Sequence, residues 1–341
     1  MYSVTAAIEE VLRQVHESPD GSIEEIRRLL TLEDHGDVSK LFAFADTVRA
    51  REVGDGIILR GLIEFSNRCG NDCFYCGLNG ENTLLDRYLM DEGEIFESVE
   101  RIRAAGIKTV VMQSGEDSDL DALWLARIIG RIKDFPGTAV TLSVGEKSRD
   151  EYRRWRDAGA DRYLLKVETT DPGIYSAAHG GRGLDSRFKC LEWLFDCGYQ
   201  TGSGLLIGLP GQTTESIARD ILFLREMDFD MLAISPFIPH PDTPFAHNKP
   251  GDARLALNAL AVTRIVTRNA HMPAATALGS AGGDHRWEAL KCGANVLMPD
   301  FTPPEYSQLY TLYPGKASVG ETFEKDMAHI SQKGKKHRRR K

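Results

Sequence analysis

The sequence predicts an α/β chain folded as a full (β/α)8 TIM-type barrel behind an N-terminal helical cap. Three observations carry that prediction. Short apolar runs alternate with amphipathic segments from about residue 57 to residue 299, and the runs number eight, the count a closed barrel requires. A doubly wound sheet is the competing architecture, and no G-x-G-x-x-G follows an early strand to support it.

Taken in order, Thr5 to Glu52 has a helical pattern, with Ile8, Val11, Leu12 and Val15 on one face. Ser22 and Glu25 read as a capping box ahead of Ile26, Leu29 and Leu30. Strands are expected at Ile57 to Phe65, Thr109 to Gln113, Ala139 to Val144, Arg162 to Val167, Gly202 to Ile207, Met231 to Ile234, Ala274 to Leu278 and Asn295 to Met298. Helices are expected between them at Glu92 to Ala105, Leu120 to Lys133, Ser148 to Ala158, Ser186 to Cys197, Thr214 to Met227, Ala253 to Arg268 and Asp284 to Cys292. The resulting division is a cap over 1–52, a barrel over 53–316 and a C-terminal extension over 317–341.

With 42% apolar and 27% charged residues the composition is that of a globular chain. No apolar run approaches the roughly 18 residues of a membrane span, and Met1 to Val15 lacks the pattern of a secretory signal. A cytoplasmic location and no membrane partner are expected. The net charge of −8 conceals a basic run, Lys333 to Lys341, with seven Lys/Arg; the other 35 basic residues face 50 acidic ones, a net −15. Such a terminal run reads as a solvated end rather than a nucleic-acid site.

Six cysteines, three of them clustered, do not make a disulfide framework, and Cys190, Cys197 and Cys292 read as structural. The cluster Cys69-Gly-Asn-Asp-Cys73-Phe-Tyr-Cys76 directly follows the first strand. Iron-sulfur clusters take four thiolates, so three thiols leave one iron for a bound molecule to ligate. A zinc site is the bland alternative, but no second C-x2-C or H-x3-H pair follows within knuckle range.

In a barrel the chemistry sits at the C-terminal strand ends. The second strand ends in Gln113-Ser-Gly-Glu-Asp117, which offers backbone groups and the Glu116 carboxylate to an ammonium group. Thr141 and Ser143 share one face of the third strand, and Arg162, Leu164, Lys166 and Glu168 share one face of the fourth. Charges facing inward must be paired or bind ligand. A Lys166–Glu168 ion pair is the structural alternative, while Glu168 suits ribose hydroxyls. Arg187 suits a carboxylate through a bidentate contact. His240 and Asp242 stand in the proline-stiffened loop after the sixth strand, and Tyr306, Tyr310 and Tyr313 follow helical spacing.

The spacing C-x3-C-x2-C resembles the radical S-adenosylmethionine (SAM) signature. Longer matches narrow it: Ile63-Glu-Phe-Ser-Asn67, Cys73-Phe-Tyr-Cys-Gly-Leu78, Gly159-Ala-Asp-Arg-Tyr-Leu-Leu165, Gly208-Leu-Pro-Gly-Gln-Thr213, Pro236-Phe-Ile-Pro-His-Pro-Asp-Thr-Pro244, Cys292-Gly-Ala-Asn-Val296 and Leu312-Tyr-Pro-Gly-Lys316. Together with the Gln113 to Asp117 strand end they resemble the HydE family of FeFe-hydrogenase maturases, in the biotin synthase-like branch of radical SAM enzymes. The resemblance implies one 4Fe-4S cluster on Cys69, Cys73 and Cys76. It places SAM against Tyr75, Ser114, Gly115, Glu168, Arg187 and Tyr310, with Gln113, Glu116, Thr141, Ser143 and Met231 assigned to the same side. Arg162, Lys166, Thr276, Met298 and Tyr313 would meet a small substrate. A reducing electron-donor protein and other hydrogenase maturases are the implied partners. Lys166-Val167-Glu168 stands where the family reads Arg-His-Glu, and Ala275-Thr276 replaces a Thr-Thr pair, so substrate identity is the open point. A biotin synthase-like enzyme, a methylornithine synthase-like enzyme and an iron-sulfur carrier are the alternatives.

Overall fold

Strands buried on both faces and helices with one apolar stripe build a parallel α/β fold in the computed structural model, which describes residues 7–316. The extension from 317 and its basic run lie outside the described residues. The strands are β1 (Ile58–Leu59), β2 (Gly61–Ser66), β3 (Thr109–Ser114), β4 (Ala139–Ser143), β5 (Arg162–Leu164), β6 (Gln200–Ile207), β7 (Met231–Pro236) and β8 (Val296–Leu297). Strands β2 to β7 form one six-stranded sheet in sequence order, and β1 pairs with β8, every pairing being parallel. Single bridges join Leu62 to Asp300, Met231 to His271 and Pro273 to Val296. Because all strands run one way, their C-terminal ends and the loops that follow share one side of the sheet.

Three helices precede the sheet, α1 (Ile8–Glu17), α2 (Ile23–Leu30) and α3 (His35–Val53). Those that cover it are α4 (Glu92–Ala104), α5 (Ala122–Lys133), α6 (Arg149–Asp157), α7 (Pro172–Ala178), α8 (Asp185–Asp196), α9 (Thr214–Glu226) and α10 (Ala253–Thr267). Asp91 and Ser148 open α4 and α6 with capping boxes to Glu94 and Glu151. The first three helices pack on α9 and α10. Buried Asn258 ties them down by donating to Leu30 O and Leu32 O, both at 3.1 Å. No helix among the described residues is long and apolar enough to cross a membrane.

Several expected elements differ. Ser22 makes no capping box; its hydroxyl turns back to Ser18 O at 2.8 Å and α2 begins without a side-chain cap. Ala274 to Leu278 is not a strand. The ladder positions fall earlier, on His271 and Pro273, and the chain then bends into a 3-10 turn at Thr276–Gly279. The last helices shrink to single turns, α11 (Arg286–Ala289) and α12 (Pro304–Ser307). Tyr306 packs against Tyr88 with ring centroids 4.7 Å apart and planes tilted by 31°.

Candidate functional site

The loop between β2 and α4 has no ladder to satisfy its backbone, so turn bonds and side chains share the task. Arg87 donates to four carbonyls: Asn67 at 2.8 Å, Leu78 at 2.9 Å, Asn79 at 2.6 Å and Asn82 at 3.2 Å. Fully buried Asn67 donates to Asp86 O and Leu309 O and accepts from Tyr88 N–H. The wrapped loop presents Cys69, Cys73 and Cys76, half-buried, to one cavity. Burial pushes all three thiols up, Cys76 to about 12 with Cys69 adding to the effect, and Cys73 well above its ordinary value. Bare thiolates are thus disfavoured there, whereas a cationic iron centre would draw the protons off. Among the described residues no three His, Cys, Asp or Glu converge on one ion, as a zinc centre would need. Three soft thiolates around a cavity wall fit an iron-sulfur cluster.

The cavity, of about 310 Å³, lies at the C-terminal strand ends. Besides the cysteines its wall gathers Tyr75, Gln113, Ser114, Gly115, Glu116, Ser143, Glu168, Arg187 and Tyr310, and with them Lys166, Ala275, Thr276, Met298 and Tyr313. Thr141, Arg162 and Met231 are not in its wall. Arg162 and Met231 are the first residues of β5 and β7, and Met231 Sδ accepts from Arg60 Nη1 at 2.8 Å. Strand alternation fixes the face a residue points to, but depth changes by roughly 3.3 Å per residue, and these positions lie too far from the strand ends. His240 and Asp242 also stay outside the wall; the buried His240 ring accepts from Asp242 N–H at 3.2 Å.

Several polar wall residues have partners that aim them. Tyr75 O–H meets His179 Nε2 at 3.1 Å, and His179 Nδ1 lies 2.8 Å from Tyr175 O. A carbonyl only accepts, so Nδ1 carries the proton and Tyr75 donates to Nε2; burial lowers His179 and favours that neutral form. Arg187 Nε pairs with Glu146 at 2.8 Å. Burial opposes its charge, but Tyr175, Glu146 and Glu116 outweigh it and raise its pKa. Glu146 is fixed in turn by Ser186 Oγ at 2.5 Å and, through its N–H, by Glu116 Oε2 at 2.7 Å. Lys166 Nζ lies 2.8 Å from Glu168 Oε2 and 3.3 Å from Ser235 Oγ. Gln113 Nε2 donates to Tyr310 O–H at 3.3 Å, and Thr276 Oγ1 and Tyr313 O–H share a bond of 2.7 Å.

Lys316 joins Glu64 and donates to Tyr310 O at 3.2 Å. Burial, then Asp300, pushes the Glu64 carboxyl up to about 8 against the pull of Lys316. The residues missed in the sequence are Glu146, His179, Ser235 and Arg87. Glu146 was findable, since it stands three residues past Ser143 at a strand end; the others carry no local signal.

A model of the Radical SAM superfamily matches residues 63–224. The FeFe-hydrogenase maturase subunit HydE of Thermotoga maritima is 46% identical over 307 residues, 90% of this chain and 87% of its own length. The 3-methylornithine synthase of Methanosarcina acetivorans is 27% identical over 281 residues, 81% of this chain and 78% of its own. Among solved structures, methylornithine synthase (PylB) superposes with a TM-score of 0.85 at 24% identity, covering 96% of this chain and 97% of that one. HydG, a maturase of the FeFe-hydrogenase, gives 0.80 at 18% identity over 97% of this chain and 76% of that one. At such identities the two structures speak for the fold alone.

Proposed function

Since the chain belongs to the radical SAM superfamily and, within it, to the HydE hydrogenase maturases, we propose that its cavity holds one 4Fe-4S cluster and SAM side by side. The observation that carries this is the joining, in one cavity, of three half-buried thiols with a buried arginine and a carboxylate. When bound, the cluster supplies the electron that cleaves SAM to methionine and a 5′-deoxyadenosyl radical.

The chain's own residues bind and orient. Cys69, Cys73 and Cys76 hold three irons. Arg187, charged and steadied by Glu146, takes the SAM carboxylate on its remaining guanidinium edge. Ser114 and Gly115 offer backbone groups to the ammonium, Glu168 accepts from the ribose hydroxyls, and Tyr75 sets a ring beside the adenine. Lys166, Thr276, Met298 and Tyr313 face a small substrate at the other end, which we assign to a cysteine-bound iron carbonyl cyanide precursor of the hydrogenase cofactor. A reducing protein would supply the electron, and other maturases would pass on the product.

Closure of the sheet into a full barrel is supported by the bridges at His271, Pro273 and Asp300, which link β7 through β8 back to β2. A single cluster is supported by the remaining cysteines: Cys190 donates to Lys147 O and Cys292 to Ala289 O, and neither these nor Cys197 line the cavity. A methylornithine synthase-like reaction is the alternative, favoured by the fold likeness but not by 27% against 46% identity. An iron-sulfur carrier would have no use for a buried Arg187 in the cavity wall, held from behind by Glu146. The test is SAM cleavage after anaerobic reconstitution: Cys73→Ala abolishes 5′-deoxyadenosine formation, and a variant that still makes it removes the cluster from the reaction.

A further inference from the structure

We propose that Asp220, on the outer helix α9, is the positioning residue for Glu168: it holds the turn that points the Glu168 carboxylate into the cavity. Among the described residues the non-glycine positions with positive φ are Glu168, Asp228 and Arg268. The last two follow the ends of α9 and α10, where chains commonly reverse. Glu168, at φ 64°, lies inside the cavity wall. Its neighbour Thr169 donates its N–H to Val167 O at 2.8 Å, so Glu168 is the apex of a three-residue turn. A side chain in that region crowds its own backbone, and such a conformation persists only where the surroundings over-determine it.

Two sets of contacts do so. On one side the apex is tied to β6, through Glu168 N–H to Gly204 O at 2.9 Å and Leu206 N–H to Glu168 O at 3.0 Å. On the other, Asp220 Oδ1 accepts both the N–H and the hydroxyl of Thr170, each at 2.6 Å. Those are short, charge-assisted bonds, and they fix the chain two residues past the apex.

The partners of the Asp220 carboxylate all lie in the segment after Glu168: Thr170 and the side chain of Thr169. Asp220 is 0% exposed, on the same helix face as buried Ile217, Ile221 and Leu224. Its Oδ2 is buried without a hydrogen-bond partner. A helix packed for stability alone would carry an apolar residue there. What Asp220 does instead is grip the segment that carries Glu168.

The inference rests on Glu168 binding the SAM ribose. It is tested by the SAM dissociation constant, measured by titration calorimetry on anaerobically reconstituted protein with iron content recorded. Glu168→Gln is expected to weaken SAM by roughly tenfold or more, and Asp220→Asn by several-fold at unchanged iron content. The double variant should bind no worse than Glu168→Gln alone, a non-additivity that a merely structural role would not produce. Thr170→Val removes only the hydroxyl and should shift affinity the same way by less; it decides the matter if Asp220→Asn does not fold. SAM bound by Asp220→Asn as by the wild type, or additive losses in the double variant, overturns the proposal. An unchanged constant in Glu168→Gln instead overturns the ribose role of Glu168.

Discussion

A methyl group added at Gly115 tests how closely the second strand end must approach the cysteine loop. A Cβ there would sit 2.3 Å from Arg68 O and 2.7 Å from Cys69 Cβ. Ordinary contact is about 3.5 Å, so Gly115→Ala demands a movement of roughly 1 Å. Arg68 O cannot yield alone, because Arg87 and Asn67 pin the loop on both flanks and Gly70 N–H is bonded to Glu116 O at 2.8 Å. The whole Cys69 segment must shift. Overpacking of this kind costs about 1–3 kcal/mol, and a 1 Å displacement of a reacting group costs on the order of 10²-fold in rate. The assay is 5′-deoxyadenosine formation per bound cluster, with iron content and denaturation midpoint measured alongside. Gly130→Ala in α5 is the control, since nothing lies within 4 Å of its Cβ; it should stabilise by about 0.5–1 kcal/mol. Wild-type cleavage and iron content in Gly115→Ala would refute the close-approach argument.

Asp220 has its carboxyl raised by burial from 3.8 to about 6. A raised acid is a protonated group favoured by folding, so its contribution is full below pH 3.8 and is lost as pH rises through 6. Wild-type stability relative to Asp220→Asn should therefore fall by about 3 kcal/mol over that interval, and parallel denaturation curves would contradict this. Lys316→Met strands Glu64, which is 1% exposed and titrates at about 8. At neutral pH Glu64 can keep its proton, so the loss is held to about 1–3 kcal/mol and should grow at about pH 9; a pH-independent loss would show that the pair carries no charge coupling.

Much of the site was legible because its chemistry rides on period-2 strands and a cysteine spacing. Cys69, Cys73 and Cys76 follow a strand, and Ser114, Ser143, Lys166 and Glu168 stand at or just past strand ends, so the two patterns name one side of the sheet. Depth was not legible. Thr141 and Arg162 share faces with Ser143 and Lys166, yet lie below the cavity, because alternation repeats unchanged along a strand. Nor were the partners legible that aim the wall residues. Arg87, His179 and Asp220 act from a loop, a helix end and a helix far away in sequence, and only packing brings them in. Ala274 to Leu278 misled for a related reason: its apolar run lines the cavity and leads into the 3-10 turn at Thr276–Gly279, and short apolar runs do not distinguish strand from turn.

The two halves of the cavity are held by different means. Toward the cysteines, Tyr75, Arg187 and Glu168 are each fixed from behind, by His179, Glu146 and the Asp220 turn, so a cofactor bound as proposed would find its contacts already oriented, with little ordering cost. At the other end the polar groups hold one another. Thr276 is spent on Tyr313, and Lys166 is divided between Glu168 and Ser235. A substrate entering there would have to replace those bonds, and a molecule that cannot would leave half-buried polar groups short of partners. Lys166 lies on the boundary, since its ion pair reaches back to the carboxylate that would bind ribose. If Glu168 binds SAM hydroxyls as proposed, its occupation would alter what Lys166 offers to a substrate and so couple the two halves through a single side chain.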